Sequence, residues 1–368
     1  MQEQAQQAQQ AQQAQQDLEA VLVSFRERIL AGRPLQIRGG GTKDWYGQTP
    51  SGEVLDTRAY RGIVDYEPTE LVITARCGTP LSEIDAALAE HNQMLAWEPP
   101  RFGGAATVGG MLAAGLSGPA RASAGAVRDF VLGAVLMDAQ GEQLHFGGQV
   151  MKNVAGYDIA RLLAGSMGTL GLILQVSLKV LPRPFASSTR VFEINQEGAL
   201  RLLNQSAGQP LPLVASAWLD NVLTIRLAGA QAAVDSAIAK LGGTELIHSE
   251  DVWTDLREQT HPFFADPQAP LWRLSVPSVA PPIDLPGRQL IEWGGAQRWL
   301  RPDSGLDAVS IRAAALAVGG HASLHRGGDK AIGVFHPLQP AVEKIHRNLK
   351  QQFDPRGIFN PGRLYASL

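Results

Sequence analysis

Cysteine is nearly missing: 368 residues contain one, Cys77. A single thiol excludes internal disulfides, iron–sulfur clusters and cysteine-ligated zinc held by this chain alone. Cys77 ends the apolar run LVITARC and reads as a buried structural thiol, with covalent attachment of a cofactor as the lesser alternative. Long apolar runs are missing too. No stretch reaches the roughly 18 apolar residues of a transmembrane helix. Charge of one sign is scarce, with a formal net charge of −3. Without a basic run or aromatic-basic interleaving, nucleic acid and anionic lipid are not expected partners. The N-terminus MQEQAQQAQQAQQAQQ lacks a basic segment followed by an apolar one, so it does not read as a secretory signal and a cytoplasmic location is expected. It is a low-complexity tract, either mobile or an extension of the helix behind it.

What is present describes a globular, well-buried protein: 45% hydrophobic and 18% charged residues. The length suits two domains better than one large core. Leu18, Val21, Leu22, Phe25 and Ile29 have helical spacing. PLQIR, EVLDT, GIVDY and ELVITARCG read as strands, and Pro80 opens a helix with Leu81, Ile84 and Leu88 on one face. A long segment of Gly, Ala, Ser and Pro follows, then VRDFVLGAVLMD as strand, GYDIARLLAGS as helical turns and GLILQVSLKV as an alternating strand. LPRPF marks a boundary. Beyond it STRVFEIN, QEGALRLLNQSA, LVASAWLD, NVLTIRLAG, a helix at Val234–Leu241 and TELIHS follow the order β-α-β-β-α-β, a ferredoxin-like pattern over about 185–250. PLWRLSVP, RQLIEWGG and HASLHRG are further strands, Val342, Ile345 and Leu349 mark a late helix, and the turn-rich end FDPRGIFNPGRLY is free to dock elsewhere.

IRGGGTKDW, Ile37 to Trp45, sets three consecutive glycines directly after a short apolar run. It is not a Walker loop, because no Gly-Lys-Ser/Thr follows. It is not the G-x-G-x-x-G turn, because Asp44 holds the last glycine's place. Consecutive amides in turns form concave nests for anions. A phosphate cradle with Thr42 adding a hydroxyl is one reading; a tight strand–turn with ordinary hairpin glycines is the other.

In order, the chain shows RGGGT, TVGGMLAAGLSG, VRDFVLG, KNVAGYDIARLLAGSMGTLG and a terminal DPRGIFNPGRL. This series resembles the flavoenzymes of the vanillyl-alcohol oxidase/PCMH superfamily, and within it the FAD-binding E subunits of bacterial glycolate oxidase. The resemblance covers about residues 30–183 and 345–365. It implies an α+β fold: a PCMH-type FAD-binding domain of two α+β subdomains, with a ferredoxin-like α+β cap. The implied division is a tail at 1–16, the FAD-binding domain at 17–183, a cap or substrate-type domain at 184–340, and a helix and tail at 341–368 returning to the FAD domain.

Carried across, the resemblance implies noncovalent FAD, since no His lies between Ile37 and Gly47. Arg38, Gly39, Gly40, Gly41 and Thr42 would cradle the pyrophosphate. Thr107, Val108, Gly109 and Gly110 would run along it, and Ser117 and Gly118 would continue that wall. Arg128 and Asp129 would reach a phosphate or adjoining backbone, or form a plain surface ion pair. Gly165, Ser166, Gly168, Thr169, Gly171 and Ile173 would pack by backbone near the cofactor. Asn360 and Arg363 would return to the flavin ring, or cap a terminal turn. Lys152 and Tyr157 would fix a loop beneath the cofactor.

The implied function is that of an FAD-binding subunit in a complex oxidising glycolate, or another small 2-hydroxy acid, with electrons leaving through the flavin. The implied partners are a larger FAD-containing subunit and an iron–sulfur subunit, which are also the route to any inner-membrane association. A stand-alone FAD-dependent 2-hydroxy acid dehydrogenase and a flavin-free scaffold are the alternatives. Related catalytic subunits carry a metal motif of the H-x-G-D-G-x-x-H kind. The nearest stretch, GGHASLHRGG, has His321 and His325 but no acidic residue between them, so no metal is expected. Arg273 as carboxylate anchor and His321 facing the flavin are the catalytic candidates, with Trp272, Glu292, Trp293 and Trp299 nearby in sequence. The tryptophan-rich strands would lie over the flavin or form plain core or an interface.

Overall fold

The computed structural model describes residues 2–148 and 157–368. Helix Gln2–Leu30 runs through the Ala/Gln tract. Alanine and glutamine are good helix formers, so nothing there stops the helix that Phe25 and Ile29 anchor in the main core.

Residues 63–179 supply a five-stranded antiparallel sheet. Its order is Ile63–Glu67, Val72–Arg76, Leu172–Lys179, Val131–Met137 and Gln143–Gly147. Leu172–Lys179 is buried along nearly its whole length instead of alternating, as suits a strand enclosed on both faces. Helix Leu81–Glu90 buries Leu81, Ile84 and Leu88, as its spacing predicts. Beside this sheet Leu35–Arg38 pairs in parallel with Glu53–Asp56.

Two local readings change. TVGGMLAA is not only a small-residue segment: Val108–Ala114 is a helix, N-capped by Thr107 and ended by Gly115 at φ 65°. VRDF is a helical turn, not strand. The Asp129 carboxylate accepts the Ala126 N–H at 2.8 Å, which closes the turn, and the strand starts at Val131.

The second half builds one eight-stranded antiparallel sheet. Its order is Thr244–Glu245, Ala186–Glu193, Val222–Gly229, Leu213–Leu219, Gly287–Glu292, Gln297–Pro302, Leu271–Ser275 and His321–Arg326. The first four strands with helices Gln196–Ala207 and Gln231–Leu241 are the ferredoxin-like unit. Asp220 and Asn221 turn its hairpin with φ of 48° and 65°, the left-handed pair that a tight two-residue hairpin loop requires. Helix Glu250–Glu258, not evident in the sequence pattern, buries Trp253 and Leu256. Its terminal Glu258 accepts the amide hydrogens of Arg101 and Phe102 at 3.0 and 2.7 Å, tying the two halves together. After helix Pro340–Phe353 the tail returns to the first half, where Phe359 bridges Leu35.

Candidate functional site

Strand Leu35–Arg38 delivers the glycine loop to the floor of a cleft. The cleft gathers Arg38, Gly39, Gly40, Gly41, Thr42, Thr107, Gly109, Gly110, Gly168, Gly171, Ile173, Asn360 and Arg363 from four distant segments. None of the amide hydrogens of Gly39, Gly40, Gly41, Thr42 or Lys43 is donated to an acceptor among the described residues. A run of uncommitted amides in a sheltered loop is a donor set for an anion. The loop lies so close to its neighbour that a Cβ on Gly40 would stand 1.5 Å from the Ala105 carbonyl oxygen.

The tail clamps this loop. Ile37 N–H donates to Asn360 Oδ1 at 2.7 Å, and Asn360 Nδ2 donates to the Met167 carbonyl at 2.6 Å. Arg363 donates to the carbonyls of Gln48, Lys43 and Asp44. Arg38 folds back to Asp44, Nε to Oδ2, at 2.7 Å. Lys43, which the motif reading passed over, also lines the cleft; burial pushes its ammonium down to about 8, against the pull of Glu258. Cys77 lies in the same wall, and burial pushes its thiol up to about 12, so it stays protonated.

The remaining expected residues stand elsewhere. Val108 is buried in the core, and its amide is committed to the Thr79 carbonyl. Ser166 Oγ accepts the Gly168 N–H, and Thr169 Oγ1 donates to the Ser166 carbonyl, so both brace the turn behind the cleft. Asp129 caps its own turn and makes no ion pair with Arg128 among the described residues. Lys152 and the Tyr157 side chain lie outside the described residues.

Segments 113–117 and 164–168 continue past the cleft. The Gly165 N–H donates to Leu112 and the Met167 N–H to Ala113, and a Cβ on Gly115 would meet Gly165 at 2.8 Å. This backbone wall leads to a second cavity of about 240 Å³ at the junction with the eight-stranded sheet. Gly115, Ser117, Arg128 and Gly165 line it from one side, Arg273, Trp293 and His321 from the other. Gly118 faces the same junction and accepts the Trp293 Nε1–H through its carbonyl at 3.0 Å.

Of the catalytic candidates, Arg273 is half-buried and faces the second cavity; among the described residues its side chain makes one hydrogen bond, to the Tyr46 hydroxyl at 3.4 Å. His321 opens strand His321–Arg326 and lines the cavity; burial and then the Arg273 and His336 charges hold it below its ordinary value. His325 is different. It is buried among Trp45, Tyr46 and Trp299, with Trp299 4.7 Å away between ring centres. Its Nε2 lies 3.0 Å from Gln259 Nε2, and its Nδ1 is buried without a hydrogen-bond partner among the described residues. Among the described residues no three His, Cys, Asp or Glu come together as a metal site. Trp272 and Trp299 are core.

Glu292 is wholly buried beside this junction. Its Oε2 accepts from Trp299 Nε1 at 2.5 Å and Gln297 Nε2 at 3.1 Å. Burial raises the carboxyl to about 7 in spite of those bonds. The sequence flagged Glu292 only as a neighbour of tryptophans; its burial depends on strand pairing between Gly287–Glu292 and Gln297–Pro302.

A model of the FAD binding domain family matches residues 12–147. The chain is 49% identical over 350 residues to glycolate oxidase subunit GlcE of Escherichia coli strain K12, covering 95% of this chain and 98% of that one. It is 22% identical over 403 residues to a D-lactate dehydrogenase of Archaeoglobus fulgidus, covering 96% and 90%. To glycolate oxidase subunit GlcD of Bacillus subtilis it is 31% identical over 159 residues, covering 42% and 33%. A solved structure of alkyldihydroxyacetonephosphate synthase superposes with a TM-score of 0.61 over 94% of this chain and 75% of that one, at 14% identity, a likeness of fold. No helix among the described residues is long and apolar enough to cross a membrane. The chain therefore belongs to the GlcE family of glycolate oxidase subunits, FAD-binding oxidoreductases with a PCMH-type fold.

Proposed function

We propose that this chain is the FAD-binding subunit of a multi-subunit complex that oxidises glycolate, or a related small 2-hydroxy acid, to the 2-oxo acid. The observation that carries the reading is the row of uncommitted amides from Gly39 to Lys43, held against Thr107 and Gly168 by a tail from the far end of the chain. That donor set fits a pyrophosphate, and the backbone wall from the loop to the second cavity fits an elongated nucleotide cofactor bound without a covalent link.

In this reading the amides of 39–43 and the Thr42 hydroxyl hold the phosphates, while Gly109 and Gly110 let the helix start approach closely. Asn360 and Arg363 keep the loop in register. Gly165, Gly168, Gly171 and Ile173 supply a wall of backbone. Residues 17–183 with 341–368 form the cofactor-holding unit, and 184–340 cover it. When bound, FAD supplies a two-electron acceptor. Arg273 orients a carboxylate at the junction, and buried Glu292, with Gln297, can hold a proton beside it at neutral pH.

The partners are a larger flavin subunit and an iron–sulfur subunit. The names of the two glycolate oxidase relatives, subunits GlcE and GlcD, support assembly, and one cysteine leaves this chain unable to ligate a cluster alone. The association brings the chain to whatever cytoplasmic or membrane-bound site the complex occupies. The test is the visible spectrum of the purified chain, followed by anaerobic glycolate. A flavin spectrum that glycolate reduces in the assembled complex is the expected result; no flavin even after FAD is supplied would overturn the reading.

A further inference from the structure

Three arginines reach the second cavity. Arg121 and Arg128 come from the cofactor-holding half, and Arg273 comes from the eight-stranded sheet. None of them is in an ion pair among the described residues. At the same junction Arg101 pairs with Asp85, Arg226 with Glu98 and Arg257 with Glu258. Among the described residues no Asp or Glu lines this cavity. Arg121 lies over the Trp293 ring, 4.7 Å from its centre. Burial first, then Arg128 and Arg273, hold Arg121 below its ordinary value, while Asp129 pulls the other way. The Asp129 carboxylate is already engaged by the Ala126 N–H. Ser117 lines the same cavity, its Oγ shut off from solvent and without a hydrogen-bond partner among the described residues.

Like charges gathered around a space many times larger than one water needs cost free energy that an anionic ligand recovers. We infer that this cavity is an anion site belonging to this chain itself, taking the carboxylate of a small 2-hydroxy acid between Arg121, Arg128 and Arg273, with Ser117 Oγ as a further hydrogen-bond partner. Guanidinium forks match carboxylate oxygens in pairs, which lysines do not. The inference rests on the hydroxy-acid reading above, and deepens it by placing a substrate site in this subunit rather than only in a partner.

The test uses the purified chain with its flavin, at low salt. Glycolate, and oxalate as a non-oxidisable probe, are titrated while tryptophan emission is followed, with Trp293→Phe to identify the reporting ring. A saturable change is expected, weakened tenfold or more by Arg121→Gln and by Arg273→Gln. Arg121→Lys should keep part of the affinity, and Arg201→Gln, on the exposed face of helix Gln196–Ala207, should keep all of it. No saturable binding by fluorescence or calorimetry would overturn the site, as would equal affinity in wild type and variants. Variants that lose flavin but bind the anion unchanged would also overturn it, because the arginines would then serve the cofactor. Flavin absorbance of each sample reports separately on the cofactor reading: anion binding in a flavin-free sample supports this site and counts against the FAD cleft.

Discussion

Asn360 holds Ile37 across 323 residues of sequence: its Oδ1 accepts the Ile37 amide hydrogen at 2.7 Å while its Nδ2 donates to Met167. One side chain therefore sets the height of the strand that delivers the glycine loop and fixes the turn opposite. The backbone at Asn360 is left-handed, φ 40°, a conformation Asn tolerates better than most residues.

Asn360→Ala removes both bonds and strains the turn. Leaving a buried amide and carbonyl unpaired costs about 2–4 kcal/mol. Urea unfolding should show that loss, and FAD should dissociate more readily from the variant. An unchanged midpoint and unchanged flavin retention would separate the tail from the cleft.

Gly40→Ala tests the loop itself. The added methyl would meet the Ala105 carbonyl, which is backbone and cannot swing aside. The loop must shift, and the uncommitted amides of 39–43 shift with it. We expect flavin content after purification to fall at least tenfold, with circular dichroism nearly unchanged.

Cys77 supplies a chemical check. Its thiol, pushed up to about 12 by burial, carries almost no thiolate at pH 8. Alkylation by iodoacetamide should be absent in the native protein and complete after denaturation. Acid precipitation should release all the flavin to the supernatant; flavin retained on the pellet would show a covalent link.

Glu292 should make stability depend on pH. Its folded value, about 7, lies above that of an unfolded glutamate, so the folded state holds the proton more tightly. The favourable contribution is full at pH below the unfolded value and is lost as pH rises through 7. Above that, the wild type carries a buried anion. Glu292→Gln should therefore gain on wild type at pH 8, on the order of 3 kcal/mol, and gain little at pH 4. Thermal melts at the two pH values measure the difference; an equal offset at both would mean that Glu292 does not titrate in this range.

Much of the fold is legible locally. Leu81, Ile84 and Leu88 repeat at helical spacing and are buried; Asp220-Asn221 turns a hairpin because both residues accept positive φ. VRDF misleads because its apolar pattern continues into a strand, while the Asp129 cap that winds it is a single hydrogen bond. Trp45 and Tyr46 follow the glycine loop directly, yet that they pack on His325 from the other sheet leaves no mark in either segment.

The sequence by itself determined most of the elements, the order of the ferredoxin-like unit and the placing of a glycine-rich loop directly after a strand, because periodicity, turn chemistry and glycine content act over a few residues. Only the tertiary structure decided that Asn360 and Arg363 clamp that loop, that Glu292 loses its water, and that Arg121, Arg128 and Arg273 share one cavity. Desolvation and unpaired charge are properties of a surrounding assembled from distant segments, and no window of sequence contains it.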